Sequence, residues 1–234
     1  MSIRRNHYQV LVVGGGSAGI TVSQALLNQK ISHDVAVIEP SQSHYYQPMW
    51  TLVGAGIVPF NKSVKKTAKV MPKGAVWIKD EVTELIPEEN TVILKSDLRI
   101  TYDFLVLTPG LVLCWNSIKG LKEAVGKNGV CSIYSPETVQ YTWDCLKNFK
   151  GGRSLFTFPN SPVKCGGAPQ KIMYLAEDHF RKSGVRQKTE ISYVTPQESI
   201  FAVKKYANAL MDLVIKPRNI LTKFQHHLVE VKSN

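Results

Sequence analysis

Residues 7–20 read HYQVLVVGGGSAGI and decide how the beginning of the chain folds. The apolar, β-branched run at residues 8–13 is typical of a parallel strand that is buried on both faces. Glycines follow at Gly14, Gly16 and Gly19, ahead of a stretch that favours a helix. The first glycine permits a tight turn, the second lets the backbone approach a pyrophosphate, and the third lets the helix pack closely on the strand. The stretch therefore predicts a strand, a glycine turn and a helix whose N-terminus binds phosphate groups.

An acidic residue stands where a dinucleotide-binding unit needs one. Residues 33–38, HDVAVI, predict a second buried strand, and Glu39 follows it directly, about 20 residues beyond Gly19. A carboxylate at this spacing accepts hydrogen bonds from the hydroxyl groups of a ribose. The glycine turn alone would be weak evidence, but strand, turn, helix and acid together predict a nucleotide site.

The composition limits the class of protein. With 44% hydrophobic and 20% charged residues among 234, the chain is expected to form one or two globular domains. No apolar run reaches the roughly 18–20 residues that span a bilayer, and the six residues ahead of the first predicted strand are not expected to form a presequence. The net charge of +11 is spread along the chain, which argues against nucleic acid and favours an anionic membrane surface or an anionic substrate.

The spacing of the four cysteines does not fit a zinc site, so no metal site is predicted. Cys131 and Cys145 are interpreted as structural, the latter as a small packing residue within a helix.

The pattern of apolar residues changes beyond the second strand. Residues 75–101 predict a small antiparallel β-meander, and residues 102–107 predict a further buried strand. An insertion of this kind between parallel strands is typical of FAD-binding rather than NAD-binding Rossmann domains. The later half predicts a second strand–helix–strand unit. In this later half, helices are predicted at residues 135–149, 170–182 and 201–215, and Ser135 is expected to be the N-cap of the first. Strands are predicted at residues 153–158 and 190–195, and residues 219–222 are expected to pair with residues 228–231.

These elements predict an α/β fold. Residues 1–120 are expected to form a Rossmann-like FAD-binding domain with a β-meander insertion. Residues 121–234 are expected to form a second, incomplete Rossmann-like domain.

The turn of the second unit, residues 158–169, lies where a second dinucleotide fingerprint would be. It is long, holds three prolines and lacks the glycine spacing, so NAD(P)H is not expected to bind there in the usual way. The turn instead carries Cys165, just ahead of a predicted helix and beside Lys164 and Lys171. A helix N-terminus and nearby positive charges favour the thiolate, which is the nucleophilic form. Cys165 is therefore the candidate redox residue.

Several of these stretches resemble the mitochondrial sulfide:quinone oxidoreductases. The resemblance rests on residues 14–19, on residues 39–41, on HYYQPMWTLVGAG at residues 44–56, and on residues 156–175 around Cys165. It extends over essentially the whole chain. The family consists of flavoproteins with two dinucleotide-binding domains.

The resemblance implies which residues of this chain hold the cofactor and which one reacts. Cys165 matches one of two redox cysteines that form a persulfide with hydrogen sulfide and reduce the flavin, which then reduces ubiquinone. FAD is expected to contact the glycine turn at Gly14, Gly16, Ser17, Ala18 and Gly19. It is also expected to contact Glu39, the loop residue Gln47 and the backbone at Val82 in the meander.

The resemblance also implies partners and a location. A sulfane-sulfur acceptor, peripheral association with the mitochondrial inner membrane and possible homo-oligomers are expected from the family. The family's chains run much further and supply the second redox cysteine and the quinone contacts later, so this chain is expected to be a shortened form, weakly active or inactive alone.

Two other functions remain open. An NAD(P)H:quinone reductase has a similar architecture, but the proline-rich turn around Cys165 argues against it. A non-catalytic protein that binds FAD or a partner would purify without flavin and expose an apolar patch.

Overall fold

Strands and helices alternate along most of the chain. The computed structural model describes residues 5–31 and 34–232. The strands are β1 (His7–Val13), β2 (Val35–Ile38), β3 (Ser43–Tyr45), β4 (Val64–Lys66), β5 (Val76–Ile78), β6 (Val82–Ile86), β7 (Thr91–Leu94), β8 (Arg99–Leu107), β9 (Gly152–Thr157), β10 (Thr189–Val194) and β11 (Ile220–Lys223). The α-helices are α1 (Ser17–Asn28), α2 (Trp50–Gly54), α3 (Thr67–Val70), α4 (Leu121–Ala124), α5 (Val139–Asn148), α6 (Ala168–Lys182) and α7 (Lys204–Leu210).

β1 lies inside a six-stranded sheet with the order β5-β2-β1-β8-β7-β6. It runs parallel to both of its neighbours, β2 and β8. Val10 and Val12 pack with Val37 in one apolar cluster, whereas Leu11 packs with Ile38 in another. Both faces of β1 are covered, which explains its nearly unbroken apolar run. The start of the predicted second strand at His33 lies outside the described residues.

The predicted meander is present, with one strand fewer than expected. β6, β7 and β8 pair antiparallel in succession. The prediction that residues 76–78 belong to it is wrong, because β5 pairs in parallel with β2 at the opposite edge of the sheet, with Val76 opposite Ala36. The indole Nε1 of Trp77 donates to the carbonyl oxygen of Glu39 at 2.8 Å and helps to hold β5 at that edge.

The second sheet has three parallel strands in the order β11-β10-β9. α6 connects β9 to β10 and buries Met173, Ala176 and Phe180 completely, in one cluster with Ile191 and Tyr193. The strand–helix–strand unit predicted from the later half is therefore present.

Two boundaries in the later half differ from the sequence prediction. α5 begins at Val139, with Thr138 as N-cap, rather than after Ser135. The hydroxyl of Ser135 accepts a hydrogen bond from the N–H of Glu137 at 3.2 Å and donates to the carboxylate of the same residue, so it stabilises a turn ahead of the helix.

The predicted pairing of residues 219–222 with 228–231 is also wrong. β11 pairs in parallel with β10, starting with Ile220 opposite Ile191. In the later stretch Glu230 forms an isolated bridge with Lys119 instead. Pairing with β10 adds β11 to a sheet that already contains β9, whereas an isolated two-stranded hairpin is only marginally stable. The last predicted helix begins at Lys204 and continues beyond α7 as a π-helical turn, Met211–Ile215.

Contacts divide the described chain into two compact units. The first consists of the described residues up to Tyr46 together with Asn61–Val112, and the second of Gln47–Phe60 together with the described residues from Leu113 onward. The functional domains 1–120 and 121–234 remain a prediction. The α/β class with largely parallel sheets is confirmed. No helix in the described part of the chain is both long and apolar enough to cross a membrane.

Candidate functional site

The glycine turn between β1 and α1 requires glycine for steric reasons. Gly14 has a φ of +97°, and a Cβ there would lie 2.1 Å from the carbonyl oxygen of Thr108. A Cβ on Gly19 would lie 1.9 Å from the carbonyl oxygen of Gly14. Both contacts are far below van der Waals separation, so the turn closes tightly and α1 approaches β1 closely, as the spacing predicts.

Backbone N–H groups at the N-terminus of α1 are available as hydrogen-bond donors. Gly16 is the N-cap, and no side chain caps this end of the helix. The first intrahelical bond runs from Ile20 N to Gly16 O at 3.0 Å, so the N–H groups of Ser17 and Ala18 precede it. A Cβ on Gly16 would meet no atom within 4 Å. The turn is therefore an open cradle with backbone donors, which suits a pyrophosphate.

Glu39 lies half-buried at the end of β2 and is fixed from two sides. Its Oε2 accepts from the N–H of Gly15 at 2.8 Å and its Oε1 from the N–H of Ser41 at 2.7 Å. Gly15 allows this contact, because a Cβ there would lie 2.7 Å from the Cβ of Glu39. Each carboxylate oxygen has a further lone pair, so the group can still accept from ribose hydroxyls.

Cys165 lies in the loop between β9 and α6 of the second unit. It is half-buried and packs against the edge of the large apolar cluster there. Its carbonyl oxygen accepts from the N–H of Ala168 at 3.2 Å and from the hydroxyl of Tyr134 at 3.4 Å. The backbone that carries the thiol is therefore held from the start of α6 and from the loop ahead of α5.

Several polar side chains lie around the loop that carries Cys165. The Lys164 ammonium donates to the side-chain oxygen of Gln47, and the amide nitrogen of Gln47 donates to the carbonyl oxygen of Tyr134 at 3.4 Å. Partial burial lowers the pKa of Lys164, and the neighbouring Cys165 acts in the opposite direction. Burial raises the pKa of Tyr134, and Cys165 adds to that increase. Gln47, Lys164, Tyr134 and Cys165 thus form one cluster within the second unit.

The structure places the other sequence-predicted site residues in the first unit. Gly14, Gly16, Ser17, Ala18, Gly19 and Glu39 meet at the ends of β1 and β2. Val82 begins β6, which β7 and β8 separate from β1 in the sheet, and it packs half-buried against the apolar cluster of that unit. The cofactor roles of all of these residues and of Gln47, and the redox role of Cys165, remain predictions.

Tyr134 is a site residue that the sequence did not reveal. It lies 31 residues from Cys165 in the chain, in a loop without a regular apolar pattern. No local signal in the sequence marks a tyrosine that bonds to a distant carbonyl group. Among the described residues, no cluster of three or more His, Cys, Asp or Glu side chains could hold a metal ion.

The sheet order, the glycine turn and the acid at the end of β2 define a Rossmann-type dinucleotide-binding protein. Residues 8–135 match the sequence profile of the family described as pyridine nucleotide-disulphide oxidoreductase. The chain belongs to this family. Its members are FAD-binding flavoproteins, so FAD is confirmed as the cofactor class, and the open cradle with a fixed carboxylate fits that cofactor.

Full-length relatives support the resemblance found in the sequence. The chain is 47% identical to the mitochondrial sulfide:quinone oxidoreductase of Mus musculus, over 97% of this chain and 50% of the relative. It is 45% identical to the enzyme of the same name from Dictyostelium discoideum, over 98% of this chain and 51% of the relative. The chain therefore spans about half the length of the curated relatives that it matches.

A solved structure shares the fold. The sulfide:quinone oxidoreductase from Aquifex aeolicus superimposes with a TM-score of 0.81 at 23% identity, over 97% of this chain and 53% of that chain. The Rossmann-type fold class predicted from the sequence is confirmed.

Proposed function

We propose that the chain is the FAD-binding part of an oxidoreductase of the sulfide:quinone type. The observation that carries this proposal is the cluster around Cys165. The thiol-bearing loop ends at the N-terminus of a 15-residue helix, with the Lys164 ammonium fixed beside it by Gln47. The helix N-terminus and the ammonium group both place positive charge near the loop that carries the thiol. The similarity to relatives that are named sulfide:quinone oxidoreductases supports the same chemistry.

The residues that would hold FAD lie mainly at the glycine turn. The free N–H groups at the start of α1 would bind the pyrophosphate, and Glu39 would accept from the ribose hydroxyls. Bound FAD would supply a two-electron acceptor. The contacts are assigned to Gly14, Gly16, Ser17, Ala18, Gly19, Glu39, Gln47 and the backbone at Val82.

Cys165 would carry the sulfur. Hydrosulfide attacks one sulfur of an oxidised cysteine pair, the S–S bond breaks, and a persulfide and a thiolate result. Transfer of the terminal sulfur to an acceptor thiolate would return Cys165 to a thiolate, and the two electrons released when the cysteine pair is oxidised again would pass to bound FAD. Lys164 would stabilise the anionic sulfur, and Tyr134 would hold the loop. The second cysteine of the pair belongs by resemblance to the later part of the family's chains, so we expect the 234-residue chain alone to turn over weakly or not at all.

The names of the same relatives support sulfide and a quinone as substrates and a mitochondrial location, and the finer assignment is part of the proposal. Hydrogen sulfide is the electron donor and ubiquinone the acceptor, and the protein works in mitochondria, at the inner membrane. A homo-oligomer is compatible with this assignment.

Selective persulfide formation tests the role of Cys165. The purified chain is treated with inorganic polysulfide, whose S–S bond breaks when the thiolate attacks, and persulfides are located by mass spectrometry of alkylated peptides. We expect the persulfide on Cys165 well before Cys114, although Cys114 is the more exposed cysteine.

Two variants complete the experiment. Cys165→Ser should abolish the fast reaction, and the matched variant Cys114→Ser should leave it intact. Equal rates of persulfide formation on Cys165 and Cys114 in the unsubstituted chain would show that the Cys165 thiol is not activated. In parallel, sulfide-dependent reduction of a soluble ubiquinone analogue is expected to be weak or absent for these 234 residues alone, and rapid turnover would refute that expectation.

A further inference from the structure

Two cysteines outside the candidate site meet on one face of α5. Cys145 lies within α5 and is half-buried, whereas Cys131 lies in the segment ahead of the helix. Burial and the neighbouring Cys145 both raise the pKa of the Cys131 thiol, and Thr142 lowers it, so these side chains lie near one another. Cys131 as a residue is exposed.

The segment on the N-terminal side of Cys131 is attached to α5. The N–H of Gly129 donates to the hydroxyl of Tyr141 at 2.9 Å, and the Cys131 thiol donates to the carbonyl oxygen of Gly129 at 3.4 Å. Tyr141 and Cys145 are four residues apart and therefore share one face of the helix.

The segment on the C-terminal side is attached as well. The carbonyl oxygen of Ser132 accepts from the hydroxyl of Thr138 at 2.7 Å and from that of Thr142 at 3.2 Å. Cys131 thus lies between two points at which its segment is attached to the helix, near Cys145. A pair of thiols fixed in this way has a high effective concentration for each other.

We propose that Cys131 and Cys145 form a reversible disulfide, a modification site separate from Cys165. The oxidant is a low-molecular-weight disulfide such as oxidised glutathione. The thiolate of one cysteine attacks a glutathione sulfur, the glutathione S–S bond breaks, and one glutathione thiolate leaves. The second cysteine then attacks the mixed disulfide, the Cys131–Cys145 bond forms, and the second glutathione thiolate leaves. The two cysteines lose two protons and two electrons, and oxidised glutathione gains the electrons.

The reaction is expected to be slow without an excess of oxidant. Burial, with a smaller contribution from Cys145, raises the pKa of Cys131, so little of its thiolate is present at neutral pH. Once formed, the bond would fasten the segment of residues 129–132 to α5.

Mass spectrometry of the unreduced protein tests this proposal. The folded chain is equilibrated in buffers of reduced and oxidised glutathione and digested without reduction. We expect a linked peptide pair that contains Cys131 and Cys145 and lacks two hydrogen atoms. In urea, the ratio of this linked pair to glutathione adducts should fall at least ~10-fold, because unfolding removes the fixed geometry.

Variants and a defined negative result complete the test. Cys131→Ser should abolish the linked pair, whereas the matched variant Cys114→Ser should retain it. The proposal is overturned if Cys131 and Cys145 stay as thiols, or carry only glutathione, in folded protein whose exposed Cys114 is fully modified. This result is read from the unsubstituted chain, so it does not depend on how a variant folds.

Discussion

The carboxylate of Glu39 accepts a hydrogen bond from the backbone N–H of Gly15, with 2.8 Å between Oε2 and N. This contact joins the end of β2 to the glycine turn after β1. It fixes the acid that we propose binds ribose relative to the backbone donors that we propose bind phosphate. A site arranged in advance loses less free energy to ordering when it binds.

Glu39→Gln should weaken FAD binding at least ~10-fold, because hydrogen bonds to a charged group are each worth about 1.5–3 kcal/mol. Titration of the purified chain with FAD, followed by quenching of flavin fluorescence, measures the change. Glu84→Gln, an exposed acid on β6, is the matched control and should leave the affinity unchanged.

Alanine at two glycines of the turn should separate binding from folding. Gly16→Ala adds a methyl group to open space at an ordinary backbone conformation, so thermal unfolding should change little while FAD affinity falls as the methyl group enters the cradle. Gly19→Ala places its methyl group against the carbonyl oxygen of Gly14 and should lower the unfolding temperature clearly. If Gly16→Ala binds FAD as tightly as the unsubstituted chain, the glycine turn does not hold the cofactor.

Lys164→Met should slow the reaction of Cys165 with polysulfide about 3- to 10-fold at low ionic strength, because a nearby cation stabilises the thiolate. The difference from the unsubstituted chain should shrink as salt is added, since Lys164 is exposed. Lys204→Met, at the exposed start of α7, is the matched control. A rate that neither substitution alters would mean that Lys164 does not activate the thiol.

Glu177 should dominate the stability of the second unit. It is only 1% exposed, and its carboxylate lies 3.0 Å from Arg181 Nε, 3.3 Å from Arg218 Nε and 3.5 Å from Arg186 Nε. Glu177→Ala leaves three guanidinium groups without their common partner and should cost about 3–5 kcal/mol of unfolding free energy, measured by urea denaturation.

Asp178→Asn is the surface comparison for Glu177→Ala, because Asp178 pairs with Lys182 and with Arg181 on the more exposed side of the same helix. It should cost at most about 1 kcal/mol. A hydrogen bond from Lys182 lowers the pKa of Asp178, so this small contribution is present at neutral pH and is lost as the pH falls through the lowered folded-state pKa. Equal costs for the two substitutions would show that the buried cluster is not the main ionic support.

NADH should not stabilise the chain in a thermal-shift titration. Residues 158–167 separate β9 from α6 and include two prolines, so few backbone N–H groups are available for a second pyrophosphate. FAD in the same assay is the positive control. A saturable rise of several degrees with NADH would favour an NAD(P)H-dependent reductase instead.

The glycine turn and Glu39 could be predicted from the sequence because local rules determine them. The spacing of the glycines and the length of one strand–helix unit place the acid beside the turn. The partner of β5 could not be predicted, because the three consecutive apolar residues of Val76–Ile78 indicate a strand but do not specify its neighbour.

Contacts between distant residues account for what the sequence did not reveal at the site. Gln47 and Lys164 are 117 residues apart, and their hydrogen bond depends on how the second unit packs. The start of α5 was predicted too early because Ser135 is a good N-cap residue whose hydroxyl bonds to Glu137 instead.

The visible absorption spectrum of the chain after incubation with FAD and removal of free FAD tests the central claim most directly. The account predicts a retained, protein-perturbed flavin band close to one FAD per chain, which is greatly reduced in Gly16→Ala and Glu39→Gln although both remain folded by circular dichroism. A folded, unsubstituted chain that loses all of its flavin on desalting would contradict it.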